Sequence, residues 1–162
     1  MSSDVPGICA FGQAHIRPHY TPLIGPDAAD RQVRLWWTVE HIGSAVAAGL
    51  VVVAAAGSEI AGVGQRGRSG EDHVIYKLYL HPDQRGHGLG PRLIDALAAQ
   101  LPDGAQRLCI EHVAANARAG AFYEREGFAV ERIEPSPSGD RALDVVWRVR
   151  RPGHVVNRGR SA

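Results

Sequence analysis

Residues 77–92 read Lys-Leu-Tyr-Leu-His-Pro-Asp-Gln-Arg-Gly-His-Gly-Leu-Gly-Pro-Arg. The first four continue a strand that the sequence predicts over His73 to Leu80. Gly86, Gly88 and Gly90 then make a turn, and a helix is expected to open at about Pro91. Glycines in such a turn let backbone N–H groups approach a bound group closely. The N-terminus of the helix adds partial positive charge, so the loop suits a phosphate or pyrophosphate. Arg85 and Arg92 can add charge-assisted contacts. Pro91 has no N–H to offer but presets the backbone for a first helical turn. The plainer alternative is a glycine-rich turn that only joins strand to helix. Spacing excludes two other phosphate loops. No Gly-Lys pair exists for a P-loop, and a dinucleotide fingerprint starting at Gly86 would need glycine where Pro91 stands.

Downstream, Leu93, Ile94, Leu97 and Leu101 recur at helical spacing, and Pro102-Asp103-Gly104 ends that helix. Leu108 to Val113 reads as a strand, and Asn116 to Glu126 as a helix with Gly127 as its stop. Phe128 to Ile133 and Ala142 to Val149 read as two more strands. Upstream, Leu50 to Ala56 is a Val-rich strand, Gly57-Ser58 a turn and Glu59 to Gly64 its hairpin partner. Gly67 to Asp72 is expected as a loop. Pro26 opens a helix with Val33, Trp36 and Trp37 on one side, and Val39 to Ala48 is a second helix stopping at Gly49. Ile8 to Gly25 stays ambiguous, because Pro18 and Pro22 interrupt any long helix. The order implies one mixed α/β domain over residues 1–151, with a helical segment at 1–49 and a flexible basic tail at 152–162.

The chain has 162 residues, with 18 Lys+Arg against 17 Asp+Glu. That length suits one domain, and 44% apolar with 22% charged residues argues against disorder or coiled coil. A charge of +1 argues against a dedicated nucleic-acid-binding domain. Only Lys77 among the basic residues is a lysine, and heavy Arg and Ala usage is associated with GC-rich bacterial genomes. Without the five arginines from Arg148 onward, 13 basic residues face 17 acidic ones, so the body carries about −4. Cys9 and Cys109 belong to no motif and read as small apolar residues. The first residues lack the basic stretch of a signal peptide, and the longest apolar run, Ala45 to Ala56, is too short to span a bilayer. A cytoplasmic protein without membrane or nucleic-acid partners is expected. His15 and His19 have metal-like spacing, but Pro18 lies between them and no third ligand is evident, so no metal is expected.

Two stretches carry a family resemblance. Arg85-Gly86-His87-Gly88-Leu89-Gly90 is similar to the R/Q-x-x-G-x-G/A motif of the GNAT superfamily of acyl-CoA N-acyltransferases. The preceding Lys-Leu-Tyr-Leu-His-Pro resembles that family's fourth strand. Ile110-Glu111, Asn116, Ala119, Phe122-Tyr123 and Gly127-Phe128 resemble its N-x-x-A-x-x-x-Y-x-x-x-G-F element. The similarity covers about Val51 to Arg132 and is weak before residue 50, where these proteins build their acceptor pocket. It implies an α/β fold with a central twisted mixed sheet, flanked by helices and split between strands 4 and 5. It also implies that acetyl-CoA binds in that split. Its pyrophosphate would sit on the Gly86 to Pro91 amides, and its pantetheine would run along Leu78, Tyr79 and Leu80. The Leu80 N–H would then donate to the thioester carbonyl, and Asn116 would bond the pantetheine arm. Asn116 also suits a helix N-cap on its own account.

Tyr123 lies two helical turns after Asn116, on the same face. In the family a tyrosine here protonates the departing thiolate; packing beside Phe122 is the plainer role. Glu111 is the best candidate to take the amine's proton, through a water. Strand alternation puts Glu111 and His112 on opposite faces, and Tyr79 and His73 are weaker alternatives. The resemblance implies an N-acetyltransferase acting by direct transfer to a primary amine of a small molecule, with coenzyme A as the second product. Acetylation of protein or peptide amines, or an acyl-CoA sensor without catalysis, are the alternatives; a homodimer is compatible.

Overall fold

Pro18 and Pro22 do not stop the first helix. In the computed structural model, which describes residues 4–151, helix α1 runs over Val5–Ile24 and contains both. A proline deprives the carbonyl four residues earlier of its partner. Here those carbonyls belong to Ala14 and Pro18, and Ala14, Pro18 and Pro22 are all exposed. The two missing bonds therefore fall on one outer stripe, where water can serve the carbonyls. The opposite stripe, Val5, Ile8, Phe11 and Ile16, is buried and holds the helix in place. Burial of each such side chain contributes roughly 1.5–3 kcal/mol.

Helices α2 (Pro26–Trp36) and α3 (Val39–Ala47) follow. The two tryptophans do not share a side as the sequence suggested. Trp37 is 3% exposed, whereas Trp36 is 46% exposed and meets only the ring of His41 edge-on. Gly12 explains the seat of Trp37, since a Cβ there would overlap the indole.

Strands β1 (Val51–Ala56) and β2 (Glu59–Ser69) form an antiparallel hairpin, with Val53 opposite Val63. β2 runs further than the sequence suggested, and β3 (Asp72–Leu80) begins directly after the Gly70-Glu71 turn. Only those two residues of the expected loop are a turn. Backbone contacts group the chain into two compact units, although no linker divides the sequence. One comprises residues 1–67 and 75–101, the other 68–74 and 102–162; the tail expected at 152–162 lies outside the described residues.

In the first unit the strands carry helices on both faces. Val63 joins the core of Ile8, Phe11, Ile16, Val33, Trp37 and Ile42. Gly62 and Gly64, on the other face of β2, admit helix α4 (Leu89–Ala98): added Cβ atoms would lie 3.1 Å from Leu93 and 2.9 Å from Leu97. The strand that the resemblance numbers fourth is the third here, because described residues before β1 hold three helices and no strand.

In the second unit β4 (Leu108–Val113) pairs with β6 (Val145–Arg150), which pairs in turn with β5 (Ala129–Glu134), all antiparallel. β6 starts later than expected because Arg141–Leu143 forms a 3-10 turn, capped by Asp140 accepting from the Ala142 N–H at 2.9 Å. Val74, Cys109 and Trp147 cluster on one face, and helix α5 (Ala117–Arg125) covers the other through Gly120 and Tyr123. Cys109 is buried as expected of a small apolar residue; Cys9 is half-buried, and both are free thiols.

Candidate active site

The glycine loop joins strand to helix as the sequence suggested, with one change of register. After β3 a 3-10 turn over Pro82–Gln84 leads to an extended Arg85. Gly86 and Gly88 then adopt left-handed φ angles of 82° and 74°, which L side chains rarely take. Gly88 is the N-cap of α4, so the helix begins at Leu89, two residues before the position expected from Pro91. Gly90 and Pro91 therefore sit inside its first turn, Gly90 buried. No side chain caps this N-terminus, and nothing lies within 4 Å of a Cβ placed on Gly86 or Gly88. A helix N-terminus without a side-chain cap, behind glycines with open space beside their Cα atoms, suits a pyrophosphate. His87 and Arg92 are exposed beside them, and Arg85 is half-buried.

The end of β3 is also oriented for the role implied by the resemblance. The His81 N–H donates to the Ala61 carbonyl of the preceding strand at 2.8 Å. Alternation along a strand then turns the Leu80 and Leu78 N–H groups away from β2. The side chains alternate in the same way. Leu80 lies with Gly62 on the α4 face, while Lys77 and Tyr79 face the N-terminal helices.

That helix-facing side holds a group of residues that the sequence reading did not assemble. Four residues of α1 rise about 6 Å, close to the 6.6–6.8 Å spanned by two residues of a strand. α1 passes β3 in the opposite direction, so His15 meets His81 at 4.5 Å between ring centroids, and His19 meets Tyr79 at 6.2 Å. The Tyr20 and Tyr79 hydroxyls are 2.6 Å apart. Trp37 lies edge-on to Tyr79, and below it Lys77 donates from Nζ to Gln65 Oε1 at 2.7 Å. Burial pushes the Lys77 ammonium down to about 8. The signals were in the sequence, as His15/His19 at helical spacing and Lys77/Tyr79/His81 at strand spacing. Only the tertiary register joins them.

The second unit holds the remaining candidates. Asn116 caps α5, its side-chain oxygen accepting from the Ala119 N–H at 3.2 Å. Tyr123 turns inward and is 7% exposed, ringed by His112, Phe122 and Phe128. His112 and Glu111 occupy opposite faces of β4 as alternation requires. Glu111 lies across from Trp147 in the register, and Trp147 lies across from Arg132. Partial desolvation, then repulsion from Glu134, raises the Glu111 carboxyl, while Arg132 acts the other way. Glu111 thus lies on one face of β4, and Tyr123 of α5 packs beside His112 on the other. His73 is buried and lines a cavity of about 310 Å³ with Arg68, Asp72 and Arg107. Among the described residues no three His, Cys, Asp or Glu side chains gather as a metal site would need, and no helix is long and apolar enough to cross a membrane.

Comparison with known proteins agrees with this geometry. The acetyltransferase (GNAT) domain family matches residues 47–130, from the end of α3 into β5. The chain belongs to that family, and its mixed α/β fold is the GNAT fold. The PaiA N-acetyltransferase from Thermoplasma acidophilum, solved in complex with coenzyme A, superposes with a TM-score of 0.77 at 16% identity, covering 93% of this chain and 94% of that one. A putative GNAT acetyltransferase from Desulfovibrio desulfuricans gives 0.66 at 20% identity, with 93% and 94% covered. The ribosomal-protein-S18-alanine N-acetyltransferase from Escherichia coli gives 0.57 at 21%, with 78% and 82% covered. No curated protein sequence matches the chain.

Proposed function

We propose that this protein transfers an acetyl group from acetyl-CoA directly to a primary amine on a small molecule. The observation that carries the reading is the uncapped N-terminus of α4 behind Gly86 and Gly88, one turn after a strand end whose Leu80 N–H points away from its hairpin partner. The amides of that loop would hold the pyrophosphate, and the Leu80 N–H would stabilise negative charge on the thioester oxygen. When bound, acetyl-CoA supplies the activated acyl carbon. A body charge of about −4 favours a cationic acceptor over an acidic one.

Tyr123 is assigned protonation of the departing thiolate, and Asn116 a bond to the pantetheine arm in addition to its cap. The attacking amine must also shed a proton. Glu111, acting through a water, is the acceptor that the sequence suggests, and a Glu111→Gln variant with unchanged turnover and pH profile removes it from that role.

The test is thiol release from acetyl-CoA with spermidine, kanamycin, free amino acids and an alanine-starting peptide as acceptors. Turnover of a small amine with the peptide inert is the expected result. Turnover of the peptide alone makes the acceptor a protein amine. Coenzyme A binding without turnover of any amine makes the protein an acyl-CoA sensor.

A further inference from the structure

His15 stands apart from the other histidines of the site. It is half-buried on α1, with its ring 4.8 Å from Phe11 and 4.5 Å from His81. Among the described residues neither of its ring nitrogens has a hydrogen-bond partner. Neither nitrogen is sealed from solvent, so both stay open to a substrate instead of being held by the fold. His81, the ring that confronts it, is held differently. The His81 Nδ1 accepts the Asp83 N–H at 3.2 Å, which puts the proton of the neutral ring on Nε2. His81 directly follows Leu80, whose N–H the proposed function assigns to the thioester oxygen, and all of these residues belong to the first unit. Glu111, by contrast, faces the Trp147 and Arg132 side of its own sheet.

Resting on the acetyltransfer reading above, we propose that His15 is the catalytic residue that takes the proton from the attacking amine, with His81 as its positioning partner. The neutral amine nitrogen attacks the acyl carbon, and a C–N bond forms as the C–S bond breaks. The electron pair of that bond leaves on sulfur, which is protonated by Tyr123. The surplus N–H proton goes to a ring nitrogen of His15 and then to solvent, while Tyr123 regains its proton from solvent. Amine and thioester thus become amide and thiol with no net change in protons. The groups facing His15 keep it a free base at neutral pH. Desolvation lowers its pKa most, His81 and Arg85 lower it further, and only Asp83 opposes them.

The experiment uses the full chain, acetyl-CoA and whichever amine of the panel above is turned over fastest. His15→Gln should lower kcat about 10²-fold and leave the Kd for coenzyme A, measured by calorimetry, unchanged. The wild-type acidic limb, expected below the ordinary histidine value of 6.5, should vanish in the variant. His15→Phe keeps the ring contacts with Phe11 and His81 and should fail equally, which separates proton transfer from packing. Imidazole added to His15→Ala should restore part of the rate. His81→Asn should shift the limb without abolishing it. Wild-type-like kcat and pH profile in His15→Gln would overturn the proposal while leaving the acetyltransfer reading intact. A normal acidic limb in His15→Phe would do the same. A wild-type protein that binds coenzyme A but acetylates no amine would overturn both.

Discussion

His15 and His112 are both half-buried imidazoles held below the ordinary histidine pKa, desolvation being the first cause in each case. Their surroundings are otherwise opposite. His112 is within 2.9 Å of its neighbour's carbonyl through Nδ1, and its Nε2 accepts from Arg148 Nε at 3.2 Å. With both nitrogens committed, it fills a fixed place under α5 beside Tyr123. His15 makes neither bond. A similar contrast holds between one cation of each unit. In the second, Arg107 pairs with Asp72 at 2.7 Å and Glu131 at 2.6 Å, and Arg148 adds a bond to the Phe128 carbonyl. In the first, Lys77 is buried, donating to the neutral Gln65 and lying over the face of Trp37. A buried charge facing a neutral partner costs stability, and this one lies on the strand that leads into the glycine loop.

The largest expected effect lies with Lys77. Its ammonium has a pKa of about 8 in the folded chain against 10.5 when unperturbed. Below pH 8 both states are protonated and the buried charge is a penalty; between 8 and 10.5 the unfolded state binds more protons, so stability rises with pH. The gain should reach about 3 kcal/mol, and denaturant melts of Lys77→Met should lack that rise. A flat pH dependence in the wild type would show that Lys77 is well satisfied and erase half of the contrast.

Next, His112→Ala should cost about 2–3 kcal/mol, by stranding the Arg148 donor and leaving space beside Tyr123. The acidic limb of turnover should not move. His15→Phe, melted in parallel, should change stability by less than about 0.5 kcal/mol. Equal losses from the two would mean that the histidines play the same structural part.

Gly88→Ala should cost about 1–2 kcal/mol, because alanine must adopt φ near 74° at the start of α4. It should also weaken coenzyme A binding in calorimetry. A smaller loss, about 1 kcal/mol for the cap, is expected for Asn116→Ala, read by thermal melting. A larger fall in kcat/KM than in stability would support the additional bond to the pantetheine arm.

The parts legible in the sequence were those whose causes are local. Positive-φ glycines, Asn116 before a helical run, Gly127 after it and the alternation of β4 each depend on a few adjacent residues. α1 was not legible, because a proline's cost depends on where the orphaned carbonyl points, and that is set by packing. Trp36 and Trp37 were misjudged for a similar reason. The helix ends between them, and the bare flank of Gly12 takes only the second. The His15–His81 and Tyr20–Tyr79 pairs join residues roughly sixty positions apart, and no local pattern encodes their register. Glu111 and Tyr123 matched a motif individually, but a motif does not state that the two lie on different faces of β4.

Lys77 has one more consequence, for the chemistry of the protein toward its own acyl donor. Thioesters slowly modify exposed lysines without any enzyme, yet this chain has a single lysine and it is 5% exposed. No other side chain offers an amine, so the side chains are shielded from accidental N-acylation by composition as well as by folding. An acetyl mark on Lys77, read by mass spectrometry, would then count the moments at which the first unit opens.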